Sequence, residues 1–202
     1  MSATSKVLLA TTNKGKIKEY LALLAHSKLE ILTPRDLAID LEVDETGETY
    51  QANAMLKAEA FCLRAGLPVL ADDSGLEVDA LKGAPGIRSA RYAPTPGATD
   101  ADRRKFLLEQ LTPMPRPWTA RFRCVIAIAT PGNPMQFAEG VCEGQIIPEE
   151  RGVGGFGYDP VFLVENYLQT MAELNFEQKN QLSYRARAVK AALPMLFKMI
   201  GM

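Results

Sequence analysis

The longest alternating run in the chain does most to limit its fold. Between Trp118 and Ile128 the apolar residues fall at Trp118, Ala120, Phe122, Cys124, Ile126 and Ile128, the period of two expected of a strand with one buried face. A Pro-Gly-Asn-Pro turn follows, and a partner strand reads from about Met135 to Cys142, so this region forms a hairpin core. Elsewhere strands at Lys6–Thr11 and Leu29–Leu32 alternate with helical stripes at Lys14–His26, Thr49–Ala65 and Thr99–Leu111. The mixture predicts an α/β fold: one body over residues 1–202 with a central mixed β-sheet flanked by helices, rather than two independent domains.

What the chain can do is bounded by composition. At 202 residues, 47% hydrophobic and 23% charged, it has enough apolar material for a substantial core. A net charge of −1 argues against a broad grip on polymeric nucleic acid or an anionic membrane. The N-terminal apolar run is too short for a signal peptide, and no segment reaches the ~18 apolar residues of a membrane span, so a cytoplasmic protein is expected. Cys62, Cys124 and Cys142 are odd in number and widely spaced, which predicts free thiols. The only histidine, His26, lies at the end of a surface helix. Catalysis in such a chain must come from carboxylates, lysines, arginines and a metal.

The carboxylates best placed for this lie in Leu70–Leu81, LADDSGLEVDAL. An apolar run carries Asp72 and Asp73 to its end, a Ser-Gly turn follows, and alternation resumes at Leu76 and Val78. Carboxylates at a strand end suit a hard cation bound partly through substrate phosphates; an Asx turn is the competing reading. A second acidic group, Asp40, Glu42, Asp44, Glu45 and Glu48, precedes the helix at Thr49–Ala65. Thr46 or Glu48 can serve that helix N-terminus, and Glu45 is the acid expected to complete a metal site with Asp73. Lys57, two turns into the helix, can reach inward or lie in solvent.

Two further stretches offer ligand contacts. Thr11-Thr12-Asn13-Lys14-Gly15-Lys16 joins a strand to a helix start, where free N–H groups and two lysines can cradle an anion without a Walker A spacing. Arg151–Pro160, RGVGGFGYDP, contains GxGxxG but lacks the following helix of a dinucleotide site. It reads as a glycine-rich loop whose Phe156 and Tyr158 either stack on a planar base or enter the core. Near the C-terminus, capping boxes at Thr170 and Asn175 predict short helices. Ser183 caps a last helix, with Lys179, Arg185, Arg187 and Lys190 making its beginning basic and Pro194 expected to kink it.

Seven motifs in order carry a resemblance. Thr11-Thr-Asn-Lys-Gly-Lys16, Glu45-Thr-Gly47, Asn53-Ala-Met-Leu-Lys-Ala58, Ala71-Asp-Asp-Ser-Gly75, Gly83-Ala-Pro-Gly-Ile-Arg-Ser-Ala-Arg91, Gly154-Gly-Phe-Gly-Tyr-Asp-Pro160 and Ser183-Tyr-Arg185 resemble those of the Ham1-like inosine triphosphate pyrophosphatase family, over residues 6 to 198. The resemblance implies two lobes with a cleft between them, a homodimer, and Mg2+-dependent hydrolysis of non-standard purine nucleoside triphosphates (ITP, dITP, XTP) to monophosphate and pyrophosphate. It also implies roles: Asp73 as general base and metal ligand, Glu45 as second metal carboxylate with Asp72 beside them, and Thr11, Asn13, Lys16, Lys57 and Ser74 around the triphosphate. Phe156, Gly157, Tyr158 and Asp159 would pocket the base, with Lys179 and Arg185 at its edge. One departure stands out. Tyr184 occupies the place of the family's histidine, which leaves a pyrophosphatase for another modified or canonical nucleotide as the alternative.

Overall fold

The computed structural model describes residues 5–202; the first four residues of the N-terminal stretch considered above lie outside them. Six strands form one sheet: β1 (Ser5–Leu9), β2 (Leu29–Leu32), β3 (Val69–Val78), β4 (Trp118–Ala129), β5 (Gln136–Ile146) and β6 (Phe162–Val164). Their order is β2-β1-β3-β4-β5-β6. Strand β1 is parallel to both β2 and β3, and β5 is antiparallel to β6, so the sheet is mixed. The helices are α1 (Lys14–Leu24), α2 (Tyr50–Ala65), α3 (Asp100–Leu111), α4 (Phe176–Leu182) and α5 (Tyr184–Ile200). None is long and apolar enough to cross a membrane among the described residues.

Contacts divide the chain into two compact units. The first holds the chain up to Asp73, Cys124–Gly140 and Arg185–Met202; the second holds Ser74–Arg123 and Val141–Tyr184. In the first, Val69 and Ala71 of β3 pack with Leu8, Ala127 and Ala129 against Ala54, Ala58 and Phe61 of α2. Small residues on the helix let it lie close to the sheet, and that proximity later matters for Asn53 and Lys57. The second buries an aromatic group in which the Phe122 ring lies 4.6 Å from Phe162 and stacks on Tyr184 at 4.7 Å.

Several local expectations are corrected. Strand β3 does not stop at its acids: it runs unbroken through Asp72-Asp73-Ser74-Gly75 to Val78. Both carboxylates have partners in the fold, so the local hydrogen bonds that would make a turn are not needed. Thr49, rather than Thr46 or Glu48, caps α2, accepting from the Ala52 N–H. The box at Thr170 starts no helix. Thr170 is instead buried, its N–H donating to Glu173 and its hydroxyl to the Arg151 carbonyl. Asn175 does open α4 with a complete capping box, and Pro194 lies inside α5 without ending it.

Candidate active site

Adjacent residues of a strand point to opposite faces, and on β3 this gives Asp72 and Asp73 different surroundings. Asp73 shares its face with Val69 and Ala71 and looks toward α2. Its Oδ2 accepts from Nδ2 of Asn53 at 3.0 Å, and its Oδ1 lies 4.0 Å from the Lys57 ammonium. Asn53 and Lys57 are one helical turn apart and therefore address the same place. Asn53 is fully buried and also accepts from the Gly47 N–H at 2.8 Å. A side chain at Gly47 would sit 2.7 Å from that amide oxygen, so glycine allows the loop to reach it.

The acidic segment before α2 follows the same logic. Residues 39–47 follow a turn and join neither helix nor sheet, and residues 37–47 alternate in exposure. Leu37, Ile39, Leu41 and Val43 pack on the core beside α2, while Asp40, Glu42 and Asp44 are exposed. Glu45 continues the inward set and meets Lys57, with Oε1 2.6 Å from Nζ. Of that acidic group, Glu45 is the one that converges with Asp73 on a common cation.

Asp72 faces α1 and α5. Its Oδ2 lies 3.0 Å from Lys16 Nζ, 3.6 Å from the Arg185 guanidinium and 3.7 Å from Cys124 Sγ, whereas its Oδ1 is buried without a hydrogen bond. Arg185 is fully buried and also pairs closely with Glu19. Lys16 is aimed by its helix start: Asn13 caps α1 by accepting from the Lys16 N–H at 3.0 Å, and Thr11 accepts from Asn13. Thr12, Asn13 and Lys14 are exposed, with Thr11 and Gly15 half-buried, so this turn is open to an anion.

The two carboxyls are consequently tuned in opposite directions. Burial would raise Asp72, but Lys16, Arg185 and Lys57 outweigh it and hold the group well below the ordinary range. Asp73 is raised: burial dominates over Lys57, the Asn53 hydrogen bond and Lys16, with Glu45 adding repulsion. Lys57 keeps its proton, because Asp72, Asp73 and Glu45 more than offset its burial. An anchor held in its ionised form beside a carboxylate of raised basicity is a division of labour suited to proton transfer.

In the second unit the glycine-rich loop is organised around Asp159, which is buried and accepts from Lys179 Nζ at 2.7 Å and from the Phe156 N–H at 3.0 Å. Gly155 adopts φ 72°, and a Cβ there would lie 1.9 Å from Asp159 Oδ2. The two aromatics separate. Tyr158 is buried and donates to the Ser89 carbonyl at 2.9 Å, whereas Phe156 is half-buried with the Lys179 ammonium 5.7 Å from its ring. Ser74 is half-buried, and Tyr184 is buried against Phe122. Lys179 and Arg185 thus hold different acids, Asp159 in the second unit and Glu19 with Asp72 in the first.

The sequence pattern of the Ham1 family matches residues 7–195. The chain belongs to the Ham1 family. It is 50% identical over 192 residues to a dITP/XTP pyrophosphatase of Desulforamulus reducens, covering 95% of each chain. With one from Geobacillus kaustophilus it shares 48% over 187 residues, covering 91% of this chain and 90% of the relative. Among solved structures it resembles the Ham1 protein of Staphylococcus aureus (TM-score 0.85, 37% identity, 96% of this chain and 100% of that one). The HAM1 protein of Coxiella burnetii is similar too (TM-score 0.86, 38% identity, 96% and 99%).

Two residues of the site, Asn53 within a Ham1 motif and Glu19 outside them, were given no role by the resemblance. Asn53 ties Gly47 to Asp73, and Glu19 neutralises Arg185. An asparagine on the apolar face of α2, in line with Tyr50, Ala54, Ala58 and Phe61, is the signal for the first. Glu19 carried no such mark, because its partner lies 166 residues away.

The donor set fits a hard divalent cation. Glu45 and Asp73 offer carboxylate oxygens to one cationic point, now the Lys57 ammonium. Among the described residues no three acids, histidines or cysteines gather to hold a metal; the two carboxylates could serve an ion that completes its shell with phosphate and water.

Proposed function

We propose that this chain, working as one catalytic domain, hydrolyses dITP, XTP and ITP to the nucleoside monophosphate and pyrophosphate. The observation that carries the reading is the buried Asp73, raised in basicity and fixed by Asn53 beside Lys57 and Glu45, in a chain half identical to a dITP/XTP pyrophosphatase. Asp73 accepts a proton from the attacking water, whose oxygen forms a bond to the α-phosphorus as the bond to the bridging oxygen breaks and pyrophosphate leaves. Lys16 and Lys57 neutralise the polyphosphate, and the α1 start, with Thr11, Thr12, Asn13, Lys14 and Gly15, supplies N–H and hydroxyl donors; Ser74 adds another. Asp72, kept ionised by Lys16 and Arg185, holds Lys16 in place. Glu45 and Asp73, with Asp72 adjacent, would hold Mg2+, which supplies charge neutralisation of the phosphates and the leaving group.

Base recognition falls to Phe156, Gly157, Tyr158, Asp159 and Lys179. An ammonium has donors only, which favours the keto oxygen of hypoxanthine or xanthine over the amino group of adenine. Tyr184, stacked on Phe122, supports the aromatic group of the second unit, and Arg185 acts at the phosphate end by keeping Asp72 ionised beside Lys16. A homodimer in the cytoplasm, acting on free nucleotides, completes the reading; the net charge of −1 supports small-molecule over polymeric substrates. The test is pyrophosphate release from dITP, XTP, dATP and dGTP with and without Mg2+. Metal-dependent turnover of the first two is expected, and equal turnover of all four would overturn the assigned selectivity.

A further inference from the structure

Phe156 to Asp159 form a tight turn: the Phe156 carbonyl accepts from the Asp159 N–H at 3.2 Å. Gly157 takes φ 61° and Tyr158 φ −95°, ψ 3°, the pattern of a turn with glycine at its first central position. Such a turn closes through its outer residues and leaves the N–H and C=O of that glycine free. Both are taken by α3. The Asp100 carboxylate accepts from the Gly157 N–H at 2.7 Å, and the Arg104 guanidinium donates to the Gly157 carbonyl at 2.9 Å.

These contacts are not needed by α3 itself. Its start is already capped by the Thr99–Asp102 capping box. Asp100 could serve only as an acid near a helix N-terminus, paired with Arg103, but that role does not require its second oxygen to reach a glycine 57 residues away. Arg104 reaches 53 residues and spends its other nitrogen on Glu150 at 2.9 Å. Gly157 lies between Phe156 and Tyr158, so its orientation sets where the half-buried Phe156 ring stands.

We propose that Asp100 and Arg104 are positioning residues for base recognition: together they clamp Gly157 and fix the Phe156 ring against which the purine stacks. The inference rests on the functional reading above. It adds that affinity for the base is set by a helix outside the loop that carries the base-binding residues.

The test compares steady-state kinetics on dITP with amide exchange of residues 151–160. Asp100→Ala raises KM roughly tenfold, as expected for a lost charge-assisted hydrogen bond, leaves kcat within about twofold, and accelerates exchange in the loop. Asp100→Asn, which keeps an acceptor for the Gly157 N–H, restores most of the affinity. Glu150→Ala, which removes only the outer pair of Arg104, leaves KM unchanged. If Asp100→Ala does not fold, Arg104→Gln carries the same readouts. Unchanged KM and exchange in a folded variant overturn the proposal, as does an equal loss in Asp100→Asn, which would assign the effect to helix charge. Failure of the unaltered enzyme to release pyrophosphate from dITP would sink the functional reading instead, and exchange would still report on the clamp.

Discussion

Around Asp72 and Asp73 the first unit works through side chains, whereas at residues 151–160 the second works through its backbone. The first region gathers Lys16, Lys57, Arg185, Glu19, Glu45 and both aspartates, each within 4.0 Å of an opposite charge. The second has Lys179 paired with Asp159 and, at its edge, Arg151 with Glu173, and otherwise depends on glycine conformations and main-chain hydrogen bonds. The difference follows from the chemistry assigned to each. Phosphates are bound by point charges whose exact reach is adjustable, but a flat base requires a surface held in one orientation. Substitutions should therefore act electrostatically in the first region and geometrically in the second.

The largest effect is expected at Asp73. Asp73→Asn removes the proton acceptor while keeping an oxygen for Asn53, so kcat should fall ~10²–10⁴-fold with the thermal midpoint little changed. Near-normal pyrophosphate release from this variant would remove the chemistry from β3.

Next comes Arg185, whose loss acts on stability. Arg185→Met leaves Asp72 and Glu19 without their shared buried cation, and breaking a buried pair in this way costs about 3–5 kcal/mol, measurable by urea unfolding. The pH dependence has a definite sign. Because the folded Asp72 is held below its unfolded value, its stabilising contribution is complete above about pH 3.9 and is lost as pH falls through the lowered value. A variant as stable as the parent at neutral pH would show that this cluster contributes specificity rather than stability.

Lys16→Ala is predicted to weaken triphosphate binding by ~1.5–3 kcal/mol and nucleoside binding hardly at all, as read by calorimetric titration. Equal losses for both ligands would assign Lys16 to the helix start. Gly155→Ala tests the geometric side: the added methyl clashes with Asp159 Oδ2 in a backbone conformation costing a side chain about 1–3 kcal/mol. KM for dITP should rise with kcat largely preserved. A proportional fall in kcat instead would mean that the loop takes part in the chemical step.

Hydrophobic pattern made β1, β2, β4, β5 and the helices α1, α2 and α3 legible, whereas β6, three residues long, is too short to carry a period. Composition turned attention from histidine to carboxylates and lysines, and motif order pointed to the family. What sequence pattern missed has physical causes. β3 was read as ending in a turn because Asp-Asp-Ser-Gly has turn chemistry locally, and only partners on α1, α2 and α5 make a continuous strand the better solution. Residues 37–47 have a strand's period of two without strand pairing, and that period would have singled out Glu45 directly. Asn53, Glu19, Asp100 and Arg104 act through contacts 20 to 166 residues away in sequence. No local window contains such information.

The central claim is that water activated at Asp73 attacks the α-phosphorus. Turnover of dITP in heavy-oxygen water, followed by mass spectrometry of both products, tests it most directly. The account predicts the label in the nucleoside monophosphate and none in pyrophosphate; label in pyrophosphate, or release of orthophosphate, would contradict it.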